Sequence, residues 1–354
     1  LWEKVFERMK SENLTRLEDE GDNAGCWILP IENEDDKILV RSNGVATYVA
    51  KDIPYAAWKL GVLNDPFNYA KYTTQSNGKV LYETTLDEAQ IPKQSFAANK
   101  VITIIDNRQA NLQKIVTNLM SKFNPESSYV HLGYEAVTLS SETAKLLGNK
   151  TDGREVQMSG RKGLYINADE IIEKLEKRIY LESKERNTSL DDASLNEIAH
   201  NVANGTIRYE LIKPDLDKII TFDINTSLNL EGDTCSYIQY SCVRAARILE
   251  KSDKKPDFNA SFDQLNTQHD LNLIKQIGMF EIFVNDAAKN YSPKVIAKYC
   301  YGLAVTFSSF YEHVKVLKAE TPELVNARLC LVLSFGLTLE KALDLLGITV
   351  PQRM

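Results

Sequence analysis

The sequence predicts a mixed α/β part followed by an all-helical part. Short apolar runs bounded by turn residues, among them the continuous run VITII at residues 101–105, indicate strands that alternate with helices. From residue 168 onward, apolar positions recur at helical spacing and are interrupted by proline and glycine. We therefore expect an α/β unit joined to a helical bundle.

Composition restricts the class of protein. A chain of 354 residues is long enough for two or three domains. It has no continuous apolar run of about 18 residues, so we expect no membrane span. The five cysteines and four histidines show neither CxxC pairing nor zinc-ligand spacing, and no protein-bound metal is predicted. The net charge of −7 argues against indiscriminate binding to nucleic acid such as DNA, so a polyanion partner must be recognised locally.

A pair of side chains early in the chain could bind a cation. Residues 26–31 (CWILPI) and the run that follows residue 37 read as strand, turn, strand, with a tight turn at residues 42–44. If a helix opens near residue 46, Tyr48 and Asp52 lie four apart on one face, where a ring and a carboxylate could enclose a cationic ligand. The alternative is an ordinary half-buried Tyr and a helix-terminal Asp.

Polar residues follow the predicted buried strand at residues 101–105. In parallel α/β sheets, ligand groups lie where strands end and helices begin. Gln109 stands at such a point, ahead of a predicted helix at residues 111–122, and is a candidate to contact a ligand. A further strand or strand pair is expected at residues 129–139.

The stretch QMSGRKG at residues 157–163 is a candidate phosphate loop. Its glycines allow close backbone approach, Ser159 can donate a hydrogen bond, and Arg161 and Lys162 supply positive charge. The spacing does not match a P-loop, because Gly163 follows Lys162 where Ser or Thr is required. A solvated turn is the alternative.

Helices are predicted at residues 168–186, 193–213 and 236–251, followed by a bundle with breaks at residues 292–293, 321–322 and 336. On the third helix, Tyr237, Tyr240 and Arg244 fall on one stripe. Two rings and a guanidinium in a row can stack on unpaired bases, or they can simply pack against a neighbouring helix.

With these stretches in view, the sequence resembles an arginyl-tRNA synthetase of the archaeal kind. Six phrases carry the resemblance in family order across almost the whole chain: SNGVATYVAKDIPYAAWKLG, VITIIDNRQANLQ, GYEAVTLS, QMSGRKG, LNLEGDTCSYIQYSCVRAARIL and LCLVLSFGLTLEKALDLLGITVPQRM.

The resemblance implies the second half of a class I, Rossmann-type nucleotide-binding domain at residues 1–232 and a helical anticodon-binding domain at residues 233–354. It implies ATP-dependent activation of arginine and its transfer to arginine tRNA in the cytoplasm, with Mg²⁺ arriving on ATP. QMSGRKG stands where class I synthetases carry their KMSKS loop. The implied site residues are Ser159, Arg161 and Lys162 for catalysis; Met158, Ser159, Gly160, Arg161 and Lys162 for ATP; Tyr48, Asp52 and Gln109 for arginine; and Tyr237, Tyr240, Arg244 and Met354 for the anticodon.

One family signature is missing. No His-x-Gly-His motif occurs in the chain, and by the resemblance this motif and an N-terminal domain would precede Leu1. We therefore expect a C-terminal portion of a longer enzyme that is inactive in aminoacylation alone. Two alternatives stay open at this point: another class I synthetase such as the cysteinyl enzyme, and a tRNA-binding module without catalysis.

Overall fold

Two compact units make up the chain, Leu1–Tyr134 and Glu135–Met354. The structure is a computed structural model that describes residues 1–31, 35–91, 97–146, 148 and 167–354, together with the backbone of residues 156–157. The two units are described separately below.

The first unit contains both helices and strands. Its elements in chain order are α1 (Trp2–Ser11), β1 (Arg16–Leu17), β2 (Trp27–Leu29), β3 (Lys37–Val40), α2 (Tyr48–Lys59), β4 (Asn68–Thr74), β5 (Val80–Thr85), β6 (Lys100–Asp106), a 3₁₀ turn (Asn107–Gln109), α3 (Ala110–Phe123) and β7 (Ser128–Tyr134). Strands β1, β2 and β3 form an antiparallel sheet. Strands β6 and β7 pair in parallel, and α3 makes the crossover between them.

The core of the first unit lies between its three helices and the strands β3 and β6. Residues that share this core are fully or almost fully buried: Val5, Met9, Leu39, Ile53, Val101, Val116, Leu119 and Met120. The predicted turn at residues 42–44 is present, with Gly44 at φ +81°, a backbone conformation that glycine adopts without strain. This turn leads directly into α2, which carries Tyr48 and Asp52.

The strand at residues 101–105 forms as predicted, but the expectation that it is buried holds for only one of its sides. Val101 is buried, whereas Ile102 is 42% exposed and Ile104 is 67% exposed. Helix α3 covers only one side of the β6–β7 ladder, so alternate side chains of β6 face away from the core. Continuous apolar composition is also compatible with this one-sided packing.

The hairpin formed by β4 and β5 was not predicted. Its strands pair antiparallel and are joined around Gly78, which has φ +79°. The sequence signal was present: Asn77-Gly78 is the strongest short hairpin turn and is flanked by residues of high strand propensity.

The second unit is mainly helical. Its elements are β8 (Val137–Leu139), α4 (Ser141–Leu146), β9 (Val156–Gln157), α5 (Ala168–Arg186), α6 (Asp192–Ile212), β10 (Ile220–Phe222), α7 (Ile224–Ser227), α8 (Cys235–Glu250), α9 (Gln268–Gly278), α10 (Phe280–Asn290), α11 (Pro293–His313) and α12 (Pro322–Leu345). Strand β8 lies between β10, with which it is parallel, and β9, with which it is antiparallel. The predicted helices at residues 168–186, 193–213 and 236–251 are confirmed within one residue at each end.

The helical bundle is centred on aromatic side chains. The rings of Phe307 and Phe335 stack with centroids 3.8 Å apart, and both residues are fully buried. Pro293 and Pro322 begin helices, as the predicted breaks require. The predicted break at Gly336 is wrong, because α12 continues through it. A Cβ added at this glycine would meet Ala245 of α8 at 3.9 Å, an ordinary van der Waals distance, so the residue faces α8.

Helix α12 is long and apolar enough, by composition, to cross a membrane. Half of its most apolar stretch is buried inside the structure, and Phe335, Leu339 and Leu343 contribute to the bundle core. Its apolar composition therefore matches a central helix of the bundle.

Candidate functional site

Asp52 lies on the second turn of α2 and is half-buried. Its Oδ2 accepts a hydrogen bond of 3.4 Å from Nε2 of Gln113 on α3. Burial raises the pKa of the Asp52 carboxyl above its ordinary value, and the hydrogen bond from Gln113 partly opposes this. A cation beside this carboxylate would compensate the cost of its desolvation, and its role in ligand binding stays a prediction.

A chain of hydrogen bonds fixes the orientation of Gln113. The side chain is 1% exposed, and its Oε1 accepts a hydrogen bond of 3.0 Å from the hydroxyl of Tyr129. That hydroxyl in turn accepts a bond of 2.8 Å from Oγ1 of Thr103. Because both ends of the Gln113 amide are engaged, its NH₂ group points at Asp52. Sequence reasoning missed Gln113, Tyr129 and Thr103, since no motif links three residues on separate elements.

Tyr48 and Gln109 are available to solvent in the same unit. Tyr48 is the first residue of α2, one turn before Asp52, and is 83% exposed. The Lys51 ammonium lies 5.3 Å from its ring centroid, so the face of the ring already meets a cation. Gln109 ends the 3₁₀ turn after β6 and is exposed. Helix α2 thus presents Tyr48 and Asp52 at a spacing of four, as predicted.

The predicted phosphate loop begins at a strand end. The backbone of Gln157 belongs to β9 and pairs with Thr138 of β8. The predictions for Met158, Ser159, Gly160, Arg161 and Lys162 concern residues outside those that the structure describes. Their roles stay predictions.

On α8, the Arg244 guanidinium lies between two tyrosine rings. Its central carbon is 4.5 Å from the ring centroid of Tyr240 and 5.0 Å from that of Tyr311. Tyr240 and Arg244 are half-buried, and Tyr311 of α11 is 44% exposed. Planar groups held in a stack with exposed edges suit recognition of unpaired bases. Tyr311 was missed by the sequence analysis, although an exposed Tyr next to the core residue Phe310 was a possible signal.

Tyr237 is placed differently from Tyr240 and Arg244. Its hydroxyl donates a hydrogen bond of 2.9 Å to Oγ of Ser308, and its ring contacts that of Tyr301 with centroids 5.9 Å apart. The side chain is half-buried and packs against the bundle core. These contacts favour the packing alternative for Tyr237, and a direct role at RNA stays a prediction.

Tyr240 and Met354 line one cavity in the second unit, although 114 positions of sequence separate them. The cavity has a volume of about 350 Å³ and is open to solvent. Its other lining residues come from α5, α6, the segment that precedes α8, and α8 itself: Ile179, Glu182, Ser183, Arg186, Ile198, Val202, Leu228, Leu230 and Ser236. An apolar floor with a few polar groups at its edge can hold a planar ligand such as a base.

The segment at residues 229–234, which leads into α8, is anchored from α6. The buried Tyr209 donates a hydrogen bond of 2.5 Å from its hydroxyl to Oδ1 of Asp233, and burial raises the pKa of Tyr209. The Lys213 ammonium donates a bond of 2.8 Å to the Asp233 carbonyl. Thr234 caps α8 by accepting a hydrogen bond from the Tyr237 N–H. These contacts fix the start of the helix that carries Tyr240 and Arg244.

No cluster of three or more His, Cys, Asp or Glu side chains that could hold a metal ion occurs among the described residues.

Comparison with known proteins identifies the helical part first. Residues 238–354 match the family model described as the DALR anticodon binding domain. The Tyr240–Arg244–Tyr311 stack and Met354 lie within this match, as does helix α8 from Ile238 onward. An α/β unit followed in the chain by an anticodon-binding helical domain is the arrangement that the resemblance to a class I aminoacyl-tRNA synthetase implies.

The similar proteins are arginine–tRNA ligases. The chain is 32% identical over its full length to the arginine–tRNA ligase of Thermococcus sibiricus, of which it covers 55%. It is 31% identical over 98% of its length to that of Deinococcus radiodurans, of which it covers 58%. The solved structure of Thermus thermophilus arginyl-tRNA synthetase superposes on the whole chain with a TM-score of 0.83 at 29% identity, and 58% of that structure is covered.

These similarities over the whole chain confirm the resemblance to arginyl-tRNA synthetases and favour it over the cysteinyl alternative. The chain spans a little over half the length of the relatives that it matches. The predicted fold class, the later part of a synthetase α/β domain followed by a helical anticodon-binding bundle, is confirmed.

Proposed function

We propose that this chain carries the arginine-recognition and anticodon-recognition parts of an arginine–tRNA ligase, which activates arginine with ATP and transfers it to arginine tRNA in the cytoplasm. The observation that carries the proposal is the meeting of Tyr240 and Met354 in one cavity, beside the Arg244 stack, within residues that match an anticodon-binding domain. Distant parts of the sequence converge there on a surface suited to single-stranded RNA.

Arginine recognition follows from the geometry around Asp52. The guanidinium group of arginine offers a planar fork of donors, and a fixed carboxylate can accept two of them in parallel. Gln113 holds one oxygen of Asp52 and leaves the carboxylate half-exposed. The exposed ring of Tyr48 supplies a π face on the same helix, and Gln109 adds an amide at the end of β6. The negative charge of Asp52 and the flat ring of Tyr48 would together select arginine over an uncharged analogue.

Anticodon recognition requires unstacked bases and surfaces on which to stack them. The cavity accepts one base between Tyr240 and Met354, and the edges of the Tyr240–Arg244–Tyr311 stack face the same partner. Stacking is tolerant of sequence, so discrimination between bases falls to the polar groups that line the cavity, Arg186 and Glu182 among them.

The activation chemistry assigns the remaining roles. Ser159, Arg161 and Lys162 would stabilise the negative charge that develops on the ATP phosphates, with Met158 and Gly160 shaping the loop. Mg²⁺ would bind the phosphates and keep several waters, as this ion does when phosphates supply much of its coordination. These roles are inferred from the family and from residue chemistry.

Binding to matched RNAs tests the anticodon assignment. The 354-residue chain, titrated with an arginine tRNA transcript and with the same transcript carrying a different anticodon, should bind the first at least tenfold more tightly. Equal affinity for the two would refute anticodon recognition and leave a module that binds tRNA through its backbone.

Arginine recognition is tested by calorimetry with arginine and with citrulline, which has the same length but no charge. Binding of both or of neither would refute the assigned role of Asp52.

A further inference from the structure

The chain segment at residues 347–354 is held by a side chain of α8. Gln239 is fully buried, and its Nε2 donates a hydrogen bond of 2.8 Å to the carbonyl oxygen of Thr349. The same NH₂ group makes a longer contact of 3.4 Å with the carbonyl of Asn201 on α6. One amide thus links α6, α8 and the final segment.

The glutamine at position 239 carries a cost in stability. Its Oε1 is buried and finds no hydrogen-bond partner among the described residues. A buried acceptor without a partner destabilises a fold, so an apolar side chain of equal length would be as favourable here for stability alone. The hydrogen bond that the Gln239 NH₂ group donates to Thr349 therefore explains why a glutamine occupies this position.

The backbone of α6 is shaped to admit this contact. A Cβ at Gly205 would lie 2.9 Å from both Nε2 of Gln239 and Sγ of Cys235, and 3.2 Å from Cγ2 of Ile348. Only a residue without a side chain lets α6 approach α8 and the final segment so closely. Ile348 is 3% exposed, so the segment enters the bundle at this point.

Beyond the contact with Gln239, the segment separates two cavities. Pro351 is buried, and Pro351, Gln352 and Arg353 line a cavity of about 320 Å³ that also includes Ile198 and Asn201. Met354 lines the cavity of about 350 Å³ that contains Tyr240 and also reaches Ile198. The segment thus forms a wall between the two, and its position sets the width of the cavity at Tyr240.

We infer that Gln239 is a positioning residue for RNA binding: by holding Thr349, it fixes residues 350–354 so that Met354 stands opposite the adjacent Tyr240. This inference rests on the proposed anticodon function. Helix α8 then has two roles on successive residues. Tyr240 supplies one wall of the cavity, and Gln239 anchors the opposite wall.

Gln239→Met tests the inference, because methionine keeps the length of the side chain and removes the donor. In hydrogen exchange on the 354-residue chain, the backbone amides of residues 349, 350, 352 and 353 should exchange at least tenfold faster than in the wild type. Affinity for a labelled anticodon stem-loop of an arginine tRNA should fall about tenfold, within the loss expected for one stacked base. Gln276→Met, the same substitution on α9 of the bundle, is the matched control and should change neither quantity.

A double-mutant cycle separates positioning from a general loss of stability. Met354→Ala should weaken RNA binding, and adding Gln239→Met to it should weaken binding little further, because the group that Gln239 positions is already absent. Fully additive losses would overturn the inference, as would unchanged exchange at the amides of residues 349, 350, 352 and 353 in Gln239→Met. If Gln239→Met unfolds the unit, hydrogen exchange in the wild-type chain decides. The stem-loop must then slow exchange at residues 352–354, and unchanged rates would overturn the inference.

The proposed function fails separately. Absence of anticodon-dependent binding in the wild type would refute the proposed function, and the exchange data would still decide whether Gln239 holds the segment.

Discussion

Replacing Tyr240 by alanine should separate RNA binding from stability. The ring contacts the Arg244 guanidinium at 4.5 Å and lines the cavity that contains Met354. Stacking of one base on an aromatic side chain contributes about 1–3 kcal/mol, so removal should weaken RNA binding about 5- to 150-fold. The half-buried ring loses one cation–π contact, worth about 0.5–1 kcal/mol, and in a unit of this size Tm should fall by no more than about 4 °C.

Fluorescence anisotropy with the labelled anticodon stem-loop measures the affinity, and thermal unfolding followed by circular dichroism measures Tm. Tyr237→Phe is the matched control, because it removes only the hydroxyl that donates to Ser308 and leaves the ring in place. This control should bind RNA as the wild type does. A series of salt concentrations should show the same slope for Tyr240→Ala and wild type, since stacking involves no phosphate contact.

Two results would refute this reasoning. Wild-type affinity in Tyr240→Ala would show that the ring contacts no base. A fall in Tm as large as that of a buried aromatic residue, which loses about 3–5 kcal/mol on replacement by alanine, would show that the ring serves the core.

Three further predictions concern the other described and sequence-predicted groups. Asp52→Asn should weaken arginine binding at least about tenfold and ATP binding little, because a charged hydrogen bond to arginine is lost. In the wild type, arginine affinity should be complete above the pKa of Asp52 and should fall as the pH drops through that pKa. Burial raises this pKa, so the fall should occur at a higher pH than for an ordinary aspartate, and pH-independent affinity would contradict this. Asp270→Ala leaves the 6%-exposed Arg328 without its carboxylate and should cost about 3–5 kcal/mol, seen as a drop of about 6–20 °C in Tm; an unchanged Tm would show that the pair is dispensable. In an enzyme form active in ATP–pyrophosphate exchange, Lys162→Ala and Arg161→Ala should each slow exchange roughly 10²–10³-fold with little effect on arginine binding, and full activity of the double variant would make the loop an ordinary turn.

Elements that depend on local chemistry could be predicted from the sequence. Helices α5 and α6 were predicted almost to the residue, because their acidic first turns, the basic last turn of α5 and the flanking polar breaks are local signals. Prolines at the first turns of α11 and α12 marked their starts correctly. Gly336 misled because glycine disfavours an isolated helix, whereas the packing of α12 in the bundle keeps the helix continuous through this residue.

The candidate sites were only partly predictable. The spacing of Tyr48 and Asp52 follows from helical geometry, so a sequence suffices to place them on one face. Gln113 could not be found in this way, because its role depends on Tyr129 and Thr103, which the parallel β6–β7 pairing brings beside it. Tyr237 and Tyr240 lie on the same stripe of α8, but only Tyr237 contacts Tyr301 and Ser308 of α11, so the two tyrosines have different surroundings. Such differences arise from neighbouring helices.

The side of the β6–β7 ladder opposite α3 governs how the chain behaves at high concentration. Ile102 and Ile104 pair in register with Val130 and Leu132, so one side carries four aliphatic side chains, of which Ile104 is 67% exposed. Parallel strands are normally covered on both faces, and uncovered aliphatic strands favour self-association. Light scattering of the chain should therefore show attraction between molecules that increases with temperature up to moderate values, as hydrophobic contacts do. Substituting Ile104 by lysine should suppress that attraction without loss of the helical signal.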